Sequence, residues 1–461
     1  MTQKGVSVIR RRITIAVLAV TTSLASLIGT FAAAASPASP TRELLSILHA
    51  KGEISDEQFQ SLSAELDAQD KSSATPAAQP TPDWLDRFTL FGDARVRGEA
   101  FFQDRQPDRD RFRVRARLGV KATASDELEG TVRLATGDPN DPISTNQTFS
   151  EAFTRKPVSL DQAFLTVKPA SSLGFDRPYL TLTAGKMPLT VFRPKAVGTS
   201  EMIFDDDLTP EGMSETGNVV DAKDGVVRKL SVQAVEWSLK ELTTAADSWI
   251  FGGQVTSELA VASRATLTVA FGNYYLSGAN RLAQQINTDP TLTSTNALVL
   301  KDGTVFAGGV PFKLDTTNPV VRYAGGFNLV EPSLSLVVDT GAAAWPLAVF
   351  ADFVHNTEAQ SKPDAYWVGV GVGQTKNPGE WAVSAIYAHT ETNAVISALS
   401  YSDFGRSGGT NQAGPFLKID WMPLSRLVLT VKNHFVTFAD TPKGKSSSIV
   451  NRLQLDAAYT F

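Results

Sequence analysis

The chain contains no cysteine and only four histidines in 461 residues. Without thiols it has no disulfide framework and no thiolate metal site, which fits export without disulfide chemistry. Long apolar runs are missing too. A helical membrane protein needs spans of about 20 apolar residues, and the one such run, Ile13 to Phe31, lies at the N-terminus. A net basic balance is lacking. The net charge is −5, and it becomes −9 once a leader carrying Lys4, Arg10, Arg11 and Arg12 is removed. That balance does not suit a nucleic-acid binder. Catalytic signatures are also lacking. No G-x-S-x-G, H-E-x-x-H or phosphate-loop pattern surrounds His49, His355, His389 or His434. Asp205 to Asp207 lacks the spacing and glycine of an EF-hand loop. The expectation is a protein without cofactor, metal or enzymatic activity.

What is present is alternation. Between Phe88 and Phe102, the residues Leu90, Gly92, Ala94, Val96, Gly98 and Ala100 share one face; Asp93, Arg95, Arg97 and Glu99 share the other. After a polar gap, Phe112, Val114, Ala116, Leu118, Val120 and Ala122 oppose Arg111, Arg113, Arg115, Arg117 and Lys121. Period two means β-strand. One such hairpin also suits a soluble sheet. Repeated to the last residue behind a secretory leader, it indicates an all-β transmembrane barrel with lipid outside and water inside. The mean hydropathy of −0.08 agrees, because alternation averages out.

Residues 1–35 read as a signal peptide, with a basic start, the apolar run and Ala33-Ala34-Ala35 as the cleavage site. An uncleaved anchor is the alternative. Residues 36–70 read as a short periplasmic helical hairpin. Thr41 caps its first helix; Ser55 and Gln58 form a capping box on the second, with Phe59, Leu62 and Leu66 as the apolar stripe. Residues 71–83 are a Pro/Ala/Ser linker. The span 84–461 then holds an antiparallel β-barrel of about 16 strands. The sixth, 209–219, alternates least. Keeping it puts the long connections 138–158, 188–208, 278–325 and 392–413 on one side and the short turns on the other, as barrels require. The last strand ends at Phe461, on one face with Tyr459, Ala457, Leu455 and Leu453, which suits an interfacial girdle.

Four stretches resemble the large family of sixteen-stranded porins of Gram-negative outer membranes. They are Phe91-Gly92-Asp93-Ala94-Arg95-Val96-Arg97 with Arg111 to Val120, then Phe204 to Gly212, then Ser402-Asp403-Phe404-Gly405 with Gly408-Gly409-Thr410-Asn411, and finally Arg452 to Asp456. The likeness spans about 84–461. It implies a passive channel for small hydrophilic solutes or ions, placed in the outer membrane with its N-terminal segment in the periplasm. It implies contact with membrane lipid and lipopolysaccharide. It also implies that the C-terminal strand ending in Phe461 engages the outer-membrane assembly machinery. Trimers are common at this strand number, so a homotrimer is implied, although no stretch reads as its interface. No solute is named by the likeness.

The pore wall is expected at Asp93, Arg95, Arg97, Glu99, Arg113, Arg115, Arg117, Lys121 and Arg133. Strands about 4.8 Å apart put these cations on one patch, where like charges repel. Asp93 and Glu99 offset part of this. Water, anions or loop acids must supply the rest. Lys168, Asp352, Lys418, Asp420, Lys432, His434, Arg452 and Asp456 are further lumen candidates. The resemblance implies that loop 188–208 enters the lumen. Asp205, Asp206 and Asp207, with Glu211 beyond, are then expected to face the arginines across a constriction whose transverse field orients dipolar solutes, while the arginine column suggests a preference for anions. Two plainer readings stand beside this: the arginines pair with nearby acids and hold the wall, or the loop acids sit in outer water. Trp367, Trp381, Tyr387, Trp421 and Tyr459 are assigned to interfacial girdles. The rival functions are an adhesin or structural barrel acting through loop 278–325, and a barrel enzyme. A channel is expected to conduct without that loop.

Overall fold

The computed structural model describes residues 48–72, 85–150, 152–241, 247–289, 292–405, 408–445 and 447–461. The signal peptide, the start of the first helix and the linker from residue 73 lie outside the described residues. The chain divides into two units, Met1–Pro82 and Asp83–Phe461. In the first, helix α1 spans Asp56–Ser72. The Gln58 N–H donates to Ser55 Oγ (3.3 Å) and the Ser55 N–H to Gln58 Oε1 (3.0 Å), which is the capping box. The helix continues two residues into the stretch read as linker, because the first breaker there is Pro76.

The second unit is a closed antiparallel barrel. Its strands are β1 Phe88–Gln103, β2 Arg109–Ser125, β3 Leu128–Thr136, β4 Val158–Val167, β5 Leu180–Lys186, β6 Glu211–Asp221, β7 Val227–Lys240 and β8 Ser248–Ala262. They continue with β9 Ala265–Ser277, β10 Asn328–Val338, β11 Leu347–Asn356, β12 Asp364–Gly373, β13 Trp381–Thr390, β14 Gln412–Leu424, β15 Leu427–Phe438 and β16 Val450–Thr460. All sixteen expected strands are there, including the sixth. Each pairs with its chain neighbours, and β16 returns to β1 from Asp93↔Thr460 to Gln103↔Val450. Phe461 completes the seam. Its N–H donates to the Gly92 carbonyl (3.1 Å), and the Gly92 N–H donates back (3.2 Å). The Phe461 ring occupies the space where a Gly92 side chain would lie. Closure leaves no edge strand, so the ladder satisfies its own polar groups in lipid. No described helix is long and apolar enough to cross a membrane. The long connections 137–157, 187–210, 278–327 and 391–411 share one rim; the other rim has turns as short as 126–127 and 425–426.

The faces separate as alternation demands. Val96 (54% exposed), Phe112 and Leu118 point outward, while Arg97 (3%), Glu99, Thr131 and Gln254 point inward. Trp381 stacks on Trp421 at 5.2 Å on the outward face, and Tyr366 on Tyr387 at 6.2 Å. Trp367 does not belong to a girdle. It is 1% exposed, on the inward face of β12, against Tyr401 and Phe416. Strand parity decides this: Trp367 shares its face with Gly369, not with Tyr366 or Val368.

From β7 to β15 the inward face is partly apolar. Trp237, Tyr274, Phe350, Trp367 and Phe416 join one buried cluster with residues of the long loops. Loop 278–327 carries a short helix, Asn280–Gln285, and a three-stranded sheet of Leu298–Leu300, Val305–Phe306 and Val320–Tyr323. Leu298, Phe312, Val320 and Tyr323 bury into the cluster. The Asn296 amide donates to the Thr392 and Val395 carbonyls (2.7 and 2.8 Å). This loop therefore packs into the barrel interior, which bears against the expectation that a channel could do without it.

Outward parity has a measurable consequence. Leu118→Arg places a guanidinium on the lipid face and is expected to cost about 2–4 kcal/mol in reversible denaturant unfolding from vesicles.

Candidate functional site

Register builds a charged wall on β1, β2 and β16. Asp93 lies opposite Arg117, Arg95 opposite Arg115, Arg97 opposite Arg113, and Glu99 opposite Arg111. On the other side Arg97 faces Asp456 and Glu99 faces Gln454. Two directly opposed arginine pairs repel, and carboxylates relieve most of it. Asp93 accepts from Arg115 (2.8 Å) and Arg117 (2.5 Å). Arg97 forks onto Asp456 (2.6 and 2.8 Å) and reaches Asp403 (2.6 Å). Arg452 donates to Glu99 (2.7 Å) and Asp403 (2.6 Å), and Arg111 donates to Glu99. Farther round, Arg133 bonds Asp161 (2.5 Å) and Lys121 bonds Glu129 (3.4 Å). Arg109, Arg111 and Arg452 lie 5.7, 5.2 and 5.0 Å from the centre of the inward Phe101 ring.

Arg95 and Arg113 are held differently. Arg95 donates to Asn146 Oδ1 (2.6 Å) and Arg113 to Ser144 Oγ (2.9 Å). Both partners lie on loop 137–157, whose Gln147–Thr148 segment pairs with β2. Neither guanidinium makes an ion pair among the described residues.

Loop 187–210 crosses the lumen. In chain order it meets β8, β10, β13, β11 and β2. The Phe192 N–H donates to Gln254 Oε1 (2.7 Å). Ser335 and Ser384 donate to the Lys195 and Val197 carbonyls (3.0 and 2.9 Å). Ser200 donates to Asp352 Oδ2 (2.5 Å). Asp207 then comes within 3.7 Å of Arg115 and 3.6 Å of Arg117. Gly371 on β12 permits this path, because a Cβ there lies 2.8 Å from Val197 N and Cγ2. Loop 391–411 fastens the crossing. The Asp205 N–H donates to the Leu399 carbonyl (2.9 Å), the Tyr401 N–H to the Glu201 carbonyl (3.1 Å), and the Ser402 N–H to Asp205 Oδ2 (2.9 Å).

Of the four loop acids, the structure brings only Asp207 to the arginine column. Asp205 is buried where the two loops meet. Asp206 pairs with Arg193 of its own loop (2.5 Å), and Glu211 begins β6 and pairs with Lys186 (2.9 Å). A turn closed by the Leu208 N–H on the Asp205 carbonyl makes the successive side chains diverge. Burial and the neighbouring Asp207 push the Asp205 carboxyl up to about 8. Burial opposes charge on Asp207 too, but Arg115, the Thr145 N–H and Arg95 hold its carboxyl below the ordinary value. At Asp403, Arg452 and Arg97 outweigh burial and hold the carboxyl well below that range.

Asp403 is the residue that sequence reading missed as a site. It stood only inside a family-like stretch, and its partners Arg97 and Arg452 are 306 and 49 residues away. No local pattern marks such a contact. The histidines are scattered: His355 bonds Asp364 (2.7 Å), His389 stacks on Tyr366 (4.9 Å), and buried His434 bonds the Tyr401 hydroxyl (3.0 Å).

Asp403→Ala leaves two buried guanidiniums short of a carboxylate. It is expected to cost about 3–5 kcal/mol, read as faster amide exchange across 391–411 with the barrel strands still protected. Asp205 gives a pH signature. The closed junction keeps a proton that a released carboxyl loses above about pH 4. Closure therefore weakens as pH rises toward about 8 and levels off beyond it. Amide opening at 199–208, corrected for intrinsic exchange, is expected to follow that curve, and Asp205→Asn to flatten it.

The model of a family described as "Putative porin" matches residues 101–300 and 336–457, more than half of the chain. Curated proteins give no match. Among solved structures, the high-pH structure of Pseudomonas putida OprB aligns with a TM-score of 0.51 at 12% identity, over 82% of this chain and 96% of that one. Salmonella typhi OmpF, solved as a complex with daunomycin, aligns at 0.46 and 10% identity, over 81% and 97%. At that identity OprB speaks for the fold alone. The family match rests on sequence and takes in β2, the inward loop, Asp403 and most of β16. The chain belongs to this porin family of outer-membrane β-barrels.

Proposed function

We propose that the protein is a passive diffusion channel for small hydrophilic solutes, with a preference for anions. One observation carries the preference. Seven guanidiniums (Arg95, Arg97, Arg111, Arg113, Arg115, Arg117, Arg452) gather with five carboxylates (Asp93, Glu99, Asp207, Asp403, Asp456). The surplus sits on Arg95 and Arg113, which neutral oxygens hold. Fixed positive charge in a narrow, low-dielectric passage raises the local anion concentration. Asp207 opposite Arg115 and Arg117 supports a transverse dipole at the constriction, with Asp205, Asp206 and Glu211 shaping the loop that bounds it. In this reading Lys121 and Arg133 line the same wall. The N-terminal helix and the short turns face the periplasm, and the long loops face the lipopolysaccharide. Three copies form a homotrimer, and the Phe461 seam strand is what the assembly machinery reads.

Single-channel recording of refolded full-length protein in a planar bilayer under a KCl gradient tests this. Ohmic openings with a reversal potential favouring chloride are expected, and Arg95→Gln with Arg113→Gln shifts that potential toward non-selectivity. Cation selectivity overturns the anion preference. Silence from correctly folded protein overturns the channel. Gly371→Val removes the seat of the inward loop and is expected to change conductance while strand content by circular dichroism stays the same.

A further inference from the structure

The charged wall supplies a guanidinium for each of its acids, but a second pair of buried acids is treated differently. Glu331 on β10 and Asp352 on β11 face the lumen interior, each 3% exposed. Ser333 lies directly opposite Asp352 in the register and on the same face as Glu331. The Glu331 carboxyl lies within hydrogen-bond reach of the Asp352 carboxyl and of the Tyr274 hydroxyl. Neither acid makes an ion pair among the described residues. Arg193, the cation acting on both, is held by Asp206 at 2.5 Å.

Two atoms here are left over. Asp352 Oδ2 accepts from Ser200 of the inward loop at 2.5 Å, but its Oδ1 is buried and has no N–H or hydroxyl donor. The Ser333 hydroxyl, in a residue 6% exposed, is likewise buried without a partner. Two buried carboxylates without a counter-charge are costly, so the pair must keep a proton between them or take up a cation, and an unsatisfied buried hydroxyl beside them adds to the cost. A small cation between them removes all of these penalties together.

We propose that Glu331, Asp352 and Ser333 form a binding site for a calcium-like divalent cation beneath the inward loop. The donor set contains only oxygen, which selects hard cations over zinc or copper. Two carboxylates match the charge of a divalent ion. Ser200, already on Asp352, ties the site to loop 187–210, so the ion pins the middle of the crossing to the barrel wall. The site concerns the loop and the barrel alone and requires no conduction.

Terbium replaces calcium in oxygen sites and luminesces when an aromatic ring close by absorbs light. Tyr274 acts on Glu331, and Trp367 is the register partner of Asp352. Refolded full-length protein in detergent is titrated with terbium, then with calcium. Sensitised emission that calcium displaces is expected. Asp352→Asn and Glu331→Gln each lower terbium affinity by about tenfold or more, as loss of one charged ligand implies. Ser333→Ala keeps both acids and lowers affinity less, so it reads the site if an acid variant refolds poorly. Asp302→Asn, on an exposed turn, leaves the titration unchanged. Absence of calcium-displaceable emission from folded wild type, or emission undiminished in both Asp352→Asn and Ser333→Ala, overturns the proposal and leaves the acids sharing a proton. Bilayer silence has no bearing on this titration, so failure of the channel reading and failure of the site are separate results.

Discussion

A sheet in hydrocarbon has no water to complete its edge. Every unpaired backbone N–H and C=O there costs several kcal/mol, so the first strand must find the last. The seam between β1 and β16, completed by Phe461 on Gly92, meets that demand. The rest of the barrel follows. Closure requires an even number of antiparallel strands. Alternation then assigns every side chain to lipid or lumen, and charge is driven to the inside.

Charge collected inside becomes the second organiser. Arg95, Arg97, Arg113 and Arg115 stand in opposed pairs across β1 and β2. Such a wall is not stable by itself. It recruits carboxylates from wherever the chain can deliver them: Asp93 from its own strand, Asp456 from β16, Asp207 from the inward loop and Asp403 from loop 391–411. The same pairs that neutralise the wall position the loops. Electrostatics on β1 and β2 thus help decide where the two loops rest across the lumen.

On the opposite side the agent is shape. Gly371 lets the backbone near Val197 lie against β12, and Ser335 and Ser384 bond its carbonyls. Trp237, Phe350, Trp367 and Phe416 fill the space behind it together with loops 278–327 and 391–411. The lumen therefore has a charged half and a packed half, and the inward loop spans the two.

Much of this was legible in the chain itself. Period-two alternation located all sixteen strands, because burial between lipid and water leaves a strong one-dimensional signature. Ser55 and Gln58 announced the cap of α1, because both partners lie within one turn. The inward face of Arg95 and Arg97 followed from parity alone. Residue type misplaced Trp367, since an aromatic on a strand suits an interface as well as a core; its parity with Gly369 is what puts it in the lumen. Local sequence did not reveal Asp403 between Arg97 and Arg452, the divergence of Asp205, Asp206 and Asp207, or the burial of loop 278–327. Sequence by itself determined which residues face lipid and which face the lumen, because that choice repeats every two residues along one strand. Only the tertiary structure decided which inward charges are paired and where the loops rest. Those contacts join residues hundreds of positions apart, and nothing in the local chain encodes the distance between them.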